Sequence, residues 1–324
     1  MRTVTKLMKN WQFTGPDGKT AAVELPHTWN NIDGQDGGND YKRGSCTYQT
    51  TFAKPAFDAD SQQVWLQFEG VNASAAVTLN GTEVICHDGG YSTFRADVTA
   101  LLAEQNTLTV VADNSKNDRV YPQKADFTFY GGIYRDVSLL VVSKNHIALD
   151  YLGSCGVRIT PTVKGSSADI RVQTRVEGEG EVEITVTDAA GSTVLTGTGT
   201  DTTLTMQHPR LWDGVRDPYL YTCTVRLVKD GQPVDEVTQR FGVRSFHVDP
   251  KQGFFLNGRA YPLHGVSRHQ DRKGLGNAIT REMHDEDMQL IKELGANTVR
   301  LAHYQHDQYF YDLCDEAGMV VWAE

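Results

Sequence analysis

Near residue 246 the hydrophobic period of this 324-residue sequence changes, and no other feature constrains its fold as tightly. Before that point apolar residues recur at every second position, in short runs separated by turns. After it they recur at helical spacing between strand-like runs. One hydrophobic core seldom serves a chain of this length, so two or three domains are expected.

The first 143 residues read as strands. In VWLQFEG, Val64, Leu66 and Phe68 share one face and Gln67 and Glu69 the other, with Trp65 an apolar exception. VTLNGTEVI places Asn80-Gly81 between two apolar runs. Both residues tolerate positive φ, which predicts a type I′ hairpin. LTVVADNS and VSLLVVS, around Leu139 and Val141, supply further strands, and the set predicts a β-sandwich. A second β unit follows. Ile170, Val172, Thr174 and Val176 alternate with polar neighbours, as do Val182, Ile184 and Val186, then Tyr221, Cys223, Val225 and Leu227. Such a stretch suits an immunoglobulin-like sandwich, although the Cys–Trp–Cys signature of antibody domains is missing.

Beyond Phe246, FFLNGRAYPLHGV forms a hairpin at Asn257-Gly258 and enters a strand. TREMHDEDMQLIKELG then predicts a helix with Met283, Met288, Ile291 and Leu294 on its apolar stripe. Thr280 is its N-cap and Gly295 its stop. ANTVRL is a strand, QYFYDLCDEAG a helix closed by Gly318, and MVVWAE a strand. Strand and helix in alternation open a parallel α/β array. Three strands cannot close a barrel.

Composition narrows the partners. Lys and Arg total 31 against 41 Asp and Glu, a net charge of -10, with no basic run to offset it. Nucleic acid is therefore excluded as a partner. No apolar run reaches the roughly 18 residues of a membrane span, so no membrane association is expected. The five cysteines (Cys46, Cys86, Cys155, Cys223, Cys314) are odd in number and scattered, so neither a disulfide framework nor a zinc site is read from them. They are expected as free thiols, several of them in strands. The start, MRTVTKLMKNWQF, lacks an apolar signal region, so a cytoplasmic location is expected, with a periplasmic or secreted one left open for a processed chain.

Three segments carry a family resemblance. NTVRLAHYQHDQYFYDLCDEAGMVVWAE resembles the signature of glycoside hydrolase family 2, with Asn297, Arg300, His303, Tyr304, Asp315 and Gly318 in place. Leu301 replaces a small residue there, and Gln305 stands where proline is usual. ADFTFYGGIYRDVSLL is similar to the end of the family's N-terminal domain, with Asp126, Gly132 and Arg135 aligned. PLHGVSRHQD is similar to its first barrel strand and loop, with Gly265, Arg268 and His269 aligned. LPHTWN, DGQDGGNDYKRG and FEGVNASAAVTLNG resemble the β-galactosidase branch. The resemblance implies a mainly β fold of a jelly-roll β-sandwich, an immunoglobulin-like β-sandwich and the first β/α units of an incomplete TIM barrel, and the changes of period put their edges at 1–143, 144–245 and 246–324. The resemblance also implies a retaining hydrolase of O-glycosidic bonds, first of all a β-galactosidase acting on terminal β-D-galactosides. β-Glucuronidase or β-mannosidase is the alternative within the family. A non-catalytic carbohydrate-binding module is the rival from a different class, and a purely structural β-sandwich protein comes third.

Retaining hydrolysis needs two carboxyl groups about 5–5.5 Å apart. The resemblance puts both, as glutamates, on the fourth and seventh barrel strands. They then lie beyond Glu324, no catalytic residue is assigned here, and the sequence is read as truncated and inactive by itself. Glu324 ends a strand, where site residues belong, yet matches neither catalytic position. Substrate contacts are assigned to four residues. Arg300, at the end of ANTVRL, can orient a carboxylate. His269 and His303 follow the first two strands and can bond sugar hydroxyls, and the resemblance implies that Asp126 reaches the sugar from the jelly roll. No metal ligand is assigned: His303 and His306 lack a third partner, and the glycine-rich loop from Gln35 to Asp40 lacks an EF-hand glutamate. The sequons at Asn72 and Asn80 are read as chance. Trp322, Phe127 and Tyr130 are expected to pack rather than stack on sugar. A carbohydrate is the expected partner and no cofactor is required. A divalent cation such as Mg is left open for the longer enzyme, as is a homo-oligomer.

Overall fold

The computed structural model describes residues 1–35, 41–120, 125, 127–149 and 151–324. It is mostly β, and its contacts divide the chain into two compact units. One holds Thr3–Val142 with Gln270–Thr280; the other holds Met1–Arg2, Ser143–His269 and Arg281–Glu324.

The first unit is a sandwich of antiparallel sheets. Six strands run in the order Thr20–Val23, Trp11–Thr14, Ser45–Ala53, Gln105–Asp113, Ser74–Leu79, Thr82–Asp88. Four more run Thr3–Lys6, Val137–Ser143, Gln62–Phe68, Phe94–Asp97. The alternation in the sequence is the alternation of burial: Val64, Leu66 and Phe68 join Val77, Leu79, Leu108 and Val110 in one core. Each such side chain contributes about 1.5–3 kcal/mol by leaving water. Asn80 and Gly81 take φ of 54° and 81°, the I′ turn expected of them. The Asn80 side chain is also bonded to Leu101, Asn106 and Thr107, which explains its presence without glycosylation. Asn72 is buried and donates to the Tyr130 carbonyl, so its sequon is inaccessible. Gly132 carries a φ of 138°, and a Cβ there would stand 2.4 Å from the His27 carbonyl oxygen, so no other residue fits.

The second unit begins with another sandwich. Val157–Lys164, Ser167–Thr174 and Asp201–Gln207 form one sheet. Thr193–Thr198, Glu181–Thr187, Tyr221–Lys229 and Gln232–Phe241 form the other. Ile170, Val172, Val182, Ile184, Val186, Cys223, Val225 and Leu227 fill its core as the period-2 pattern predicts. All five cysteines are free; Cys46, Cys223 and Cys314 are buried, and burial pushes each thiol up to about 12.

Strand and helix then alternate: β1 (Gly265–Arg268), α1 (Arg281–Glu293), β2 (Thr298–Leu301), α2 (Gln308–Ala317) and β3 (Val320–Ala323). The three strands form one parallel sheet in the order β1-β2-β3. Asn297 sets its register: its side chain donates to the Pro262 carbonyl and accepts from the His264 amide, both at 2.8 Å. Asp307 caps α2, accepting from the Tyr309 amide. Gly318 ends it in the left-handed conformation at φ 74°, with Gly214 backbone 2.3 Å from where a Cβ would sit. Trp212 of the preceding sandwich donates to the Asp315 carbonyl at 2.8 Å and ties α2 to it.

One expected stripe is different. Met288 and Ile291 of α1 are buried, but Leu294 is 72% exposed and His284 takes an inward position. Leu294 falls beyond the last helical residue, whereas His284 is drawn in by a buried hydrogen-bond partner described below. Trp322 also departs from the expectation of packing, being 64% exposed; Tyr130 is buried and Phe127 half-buried. Among the described residues no helix is long and apolar enough to cross a membrane.

Candidate functional site

The carboxyl ends of β1, β2 and β3 bring four polar side chains together. Arg300 lies in β2, whose register places it beside Ser267 of β1 and Trp322 of β3. Its guanidinium donates to both carboxylate oxygens of Glu324 at 2.9 Å each, and to Ser267 Oγ at 3.0 Å. A planar fork meeting a carboxylate in this way fixes direction as well as distance. His303, three residues on, has Nδ1 2.9 Å from Arg300 Nη2 and 2.9 Å from Glu324 Oε2. Nδ1 donates to the carboxylate in one tautomer and accepts from the guanidinium in the other, so the ring is anchored on that side either way. The His269 ring meets that of His303 edge-on at 5.3 Å and that of Tyr304 at 5.8 Å. Arg300, and after it His303, hold the Glu324 carboxyl below its usual range, so it is an anion in neutral solution.

Beneath this cluster lies a second, buried one. Arg268, the last residue of β1, is 6% exposed. It donates to Asp287 Oδ2 from Nε at 2.9 Å and from Nη2 at 2.7 Å. Its Nη1 is 3.0 Å from His306 Nδ1 and its Nη2 3.0 Å from His284 Nδ1. The guanidinium lies 3.8 Å over the Phe310 ring. Burial pulls Arg268 below its ordinary pKa while the Asp287 charge works the other way. His306 Nε2 in turn reaches the Ala302 carbonyl at 3.1 Å.

Of the four residues assigned as substrate contacts, His269, Arg300 and His303 lie together in the first cluster. Asp126 lies outside the described residues, as do residues 36–40 of the glycine-rich loop. Gln35 at the edge of that loop accepts from the Gly274 amide at 2.9 Å. Glu324, set aside in the sequence because it matches neither catalytic position, is the shared partner of Arg300 and His303. Its place at a strand's carboxyl end was the available signal. The pairing of His303 with His306 as metal ligands does not hold: both ring nitrogens of His306 are engaged, by Arg268 and by Ala302. Arg268 was visible as a motif residue, but nothing in the spacing showed that its side chain turns inward to two histidines.

Three family models match successive parts of the chain: glycosyl hydrolases family 2, sugar binding domain, over residues 10–143; glycosyl hydrolases family 2 over 146–244; and glycosyl hydrolases family 2, TIM barrel domain, over 247–324. A β-glucuronidase of Bacteroides fragilis is 40% identical over 98% of this chain and 49% of its own length. A β-galactosidase of Bacteroides ovatus is 30% identical over 97% of this chain and 40% of its own. The crystal structure of an FMN-binding β-glucuronidase from Facaelibacterium prausnitzii superposes with a TM-score of 0.96 at 41% identity, covering 100% of this chain and 52% of that one. The chain thus spans about half the length of the first of these relatives. With every segment from residue 10 onward matched in family order, the chain belongs to glycosyl hydrolase family 2.

Proposed function

We propose that the gene product hydrolyses O-glycosidic bonds with retention and that its sugar is a β-D-glucuronide. The observation that carries the choice of sugar is the balance of the relatives: β-glucuronidases stand at 40% and 41% identity and a putative one at 34%, against a putative β-galactosidase at 39% and the β-galactosidase of Bacteroides ovatus at 30%. β-Galactosidase, the first reading of the sequence, becomes the second, kept because that 30% relative covers nearly the whole chain. The domain plan we propose is the one read from the sequence, with residues 1–143, 144–245 and 246–324 as jelly roll, immunoglobulin-like sandwich and start of the barrel.

In this reading the Arg300–Glu324–His303 cluster forms part of the floor on which the sugar rests. Its charges are mutually satisfied, so it offers a fixed set of polar atoms rather than a reactive acid. The acid/base and nucleophilic carboxyls are not assigned to any of these 324 residues. A glucuronate differs from a galactose in its C6 carboxylate, which replaces a hydroxymethyl group, and in the configuration at C4. A site that pairs this carboxylate rejects a substrate lacking it by about 10²-fold or more.

The assay is hydrolysis of nitrophenyl β-D-glucuronide and nitrophenyl β-D-galactoside by the full gene product, with the anomer of the first-formed sugar read by NMR. The glucuronide should have the higher kcat/KM, and its first product should be the β-anomer. Faster galactoside turnover would restore the galactosidase reading. Glycan binding with no hydrolysis of either would replace both with a binding module.

A further inference from the structure

We propose that His306, held by Arg268, is a positioning residue for the sugar site: it fixes the backbone from which His303 projects. The proposal rests on the glycosidase reading above and deepens it.

The geometry forms a closed ring of bonds. A guanidinium has five donors and no acceptor, so a ring nitrogen facing it must offer a lone pair. His306 Nδ1, 3.0 Å from Arg268 Nη1, is therefore the unprotonated nitrogen. The proton sits on Nε2, which donates to the Ala302 carbonyl at 3.1 Å. The amide of the same residue, Ala302, donates to the Arg268 carbonyl at 3.0 Å. Residue 302 is thus gripped at its nitrogen by the backbone of Arg268, and at its oxygen by the side chain of Arg268 acting through an imidazole.

Ala302 is fully buried, and the next residue is His303, whose Nδ1 meets Arg300 and Glu324. His284 takes an equivalent bond from Nη2 of Arg268, and Asp287 accepts two more. With Phe310 under its plane, the guanidinium is held on every side the structure records. An orientation imposed on Arg268 therefore passes to His306 and then to the peptide that carries His303. Lysine cannot take this place, because one ammonium nitrogen cannot reach Asp287, His284 and His306 while lying flat on Phe310.

The relay makes a chemical distinction that packing alone would not. Glutamine carries an acceptor and a donor on one amide and can replace both nitrogens of His306, whereas phenylalanine fills the space and replaces neither. In the full gene product, His306→Phe should lower kcat/KM for the preferred glycoside by about 10–100-fold, the scale of a small misplacement in a site. His306→Gln should recover most of it. Thermal unfolding of both variants confirms that each is folded at the assay temperature.

In parallel, the imidazole nitrogens of His303 are followed by ¹⁵N NMR. Their resonances should move in His306→Phe and return in His306→Gln. Wild-type kcat/KM in His306→Phe, or equal impairment of the two variants, would overturn the proposal while leaving the hydrolase reading standing. If the wild type cleaves no glycoside, the functional reading falls. The His303 resonances then decide the positioning role alone, and their indifference to His306→Phe would end it.

Discussion

Among single residues, Glu324 and Arg300 show how a site can be built from charge without reactivity. Two 2.9 Å bonds from one guanidinium, with His303 Nδ1 at the same distance, favour the ionised carboxyl. The folded state therefore binds a proton at Glu324 less readily than the unfolded chain, whose ordinary value is 4.5. The linkage has a definite sign: this stabilisation is fully present above pH 4.5 and is lost as pH falls through the lowered folded value. Solvent reaches the pair, so the effect is modest and weakens with salt. The expected outcome is a higher thermal midpoint for wild type than for Glu324→Gln at neutral pH, with the gap narrowing on acidification below 4.5. A gap that grew with acid would show that the carboxyl is not held as an anion.

Whole elements are joined by contacts that pattern reading cannot see. Asp235, in the strand Gln232–Phe241, is completely buried. It accepts from Arg2 Nε at 2.8 Å and Nη2 at 2.5 Å, and from the Ile147 amide at 2.8 Å. Arg2→Ala removes the cation and leaves the carboxylate buried with a backbone partner only, a loss of about 3–5 kcal/mol. The double replacement Arg2→Met with Asp235→Leu should cost much less, because no charge is then stranded. Urea midpoints of the wild type, single and double variants test this; equal losses for the single and the double would refute it. Periods of two and of 3.6 were enough to read the strands around Val64, Ile170 and Cys223 and the helices α1 and α2. They held no trace of a pair 233 residues apart in sequence. Nor could they favour His284 over Leu294, since hydropathy does not register a buried guanidinium waiting for an acceptor.

At the scale of the whole molecule, the order of β-rich segments and of the strand–helix alternation was legible in advance, and so were three of the residues at the strand ends. The role of Glu324 and the inward turn of Arg268 were not, because each depends on which neighbour a side chain meets across the sheet. The grouping of Gln270–Thr280 with the first sandwich was equally hidden. This segment directly follows β1 in sequence, yet its bonds go to the unit of Thr3–Val142. Asn31 donates to the Gly274 carbonyl at 2.8 Å, the Gly274 amide donates to Gln35 at 2.9 Å, and Gly276, at φ 58°, leaves no room for a Cβ beside Tyr130 and Thr28. Local opening follows such bonds rather than chain order. In native-state hydrogen exchange under mild denaturant, the amides of Gly274 and Gly276 should therefore lose protection together with the strand Ser45–Ala53 and not with α1. Gln35→Ala should speed exchange at Gly274 ahead of the rest of the segment. Exchange of these amides in step with α1 would mean that the loop belongs energetically to the strand and helix it connects.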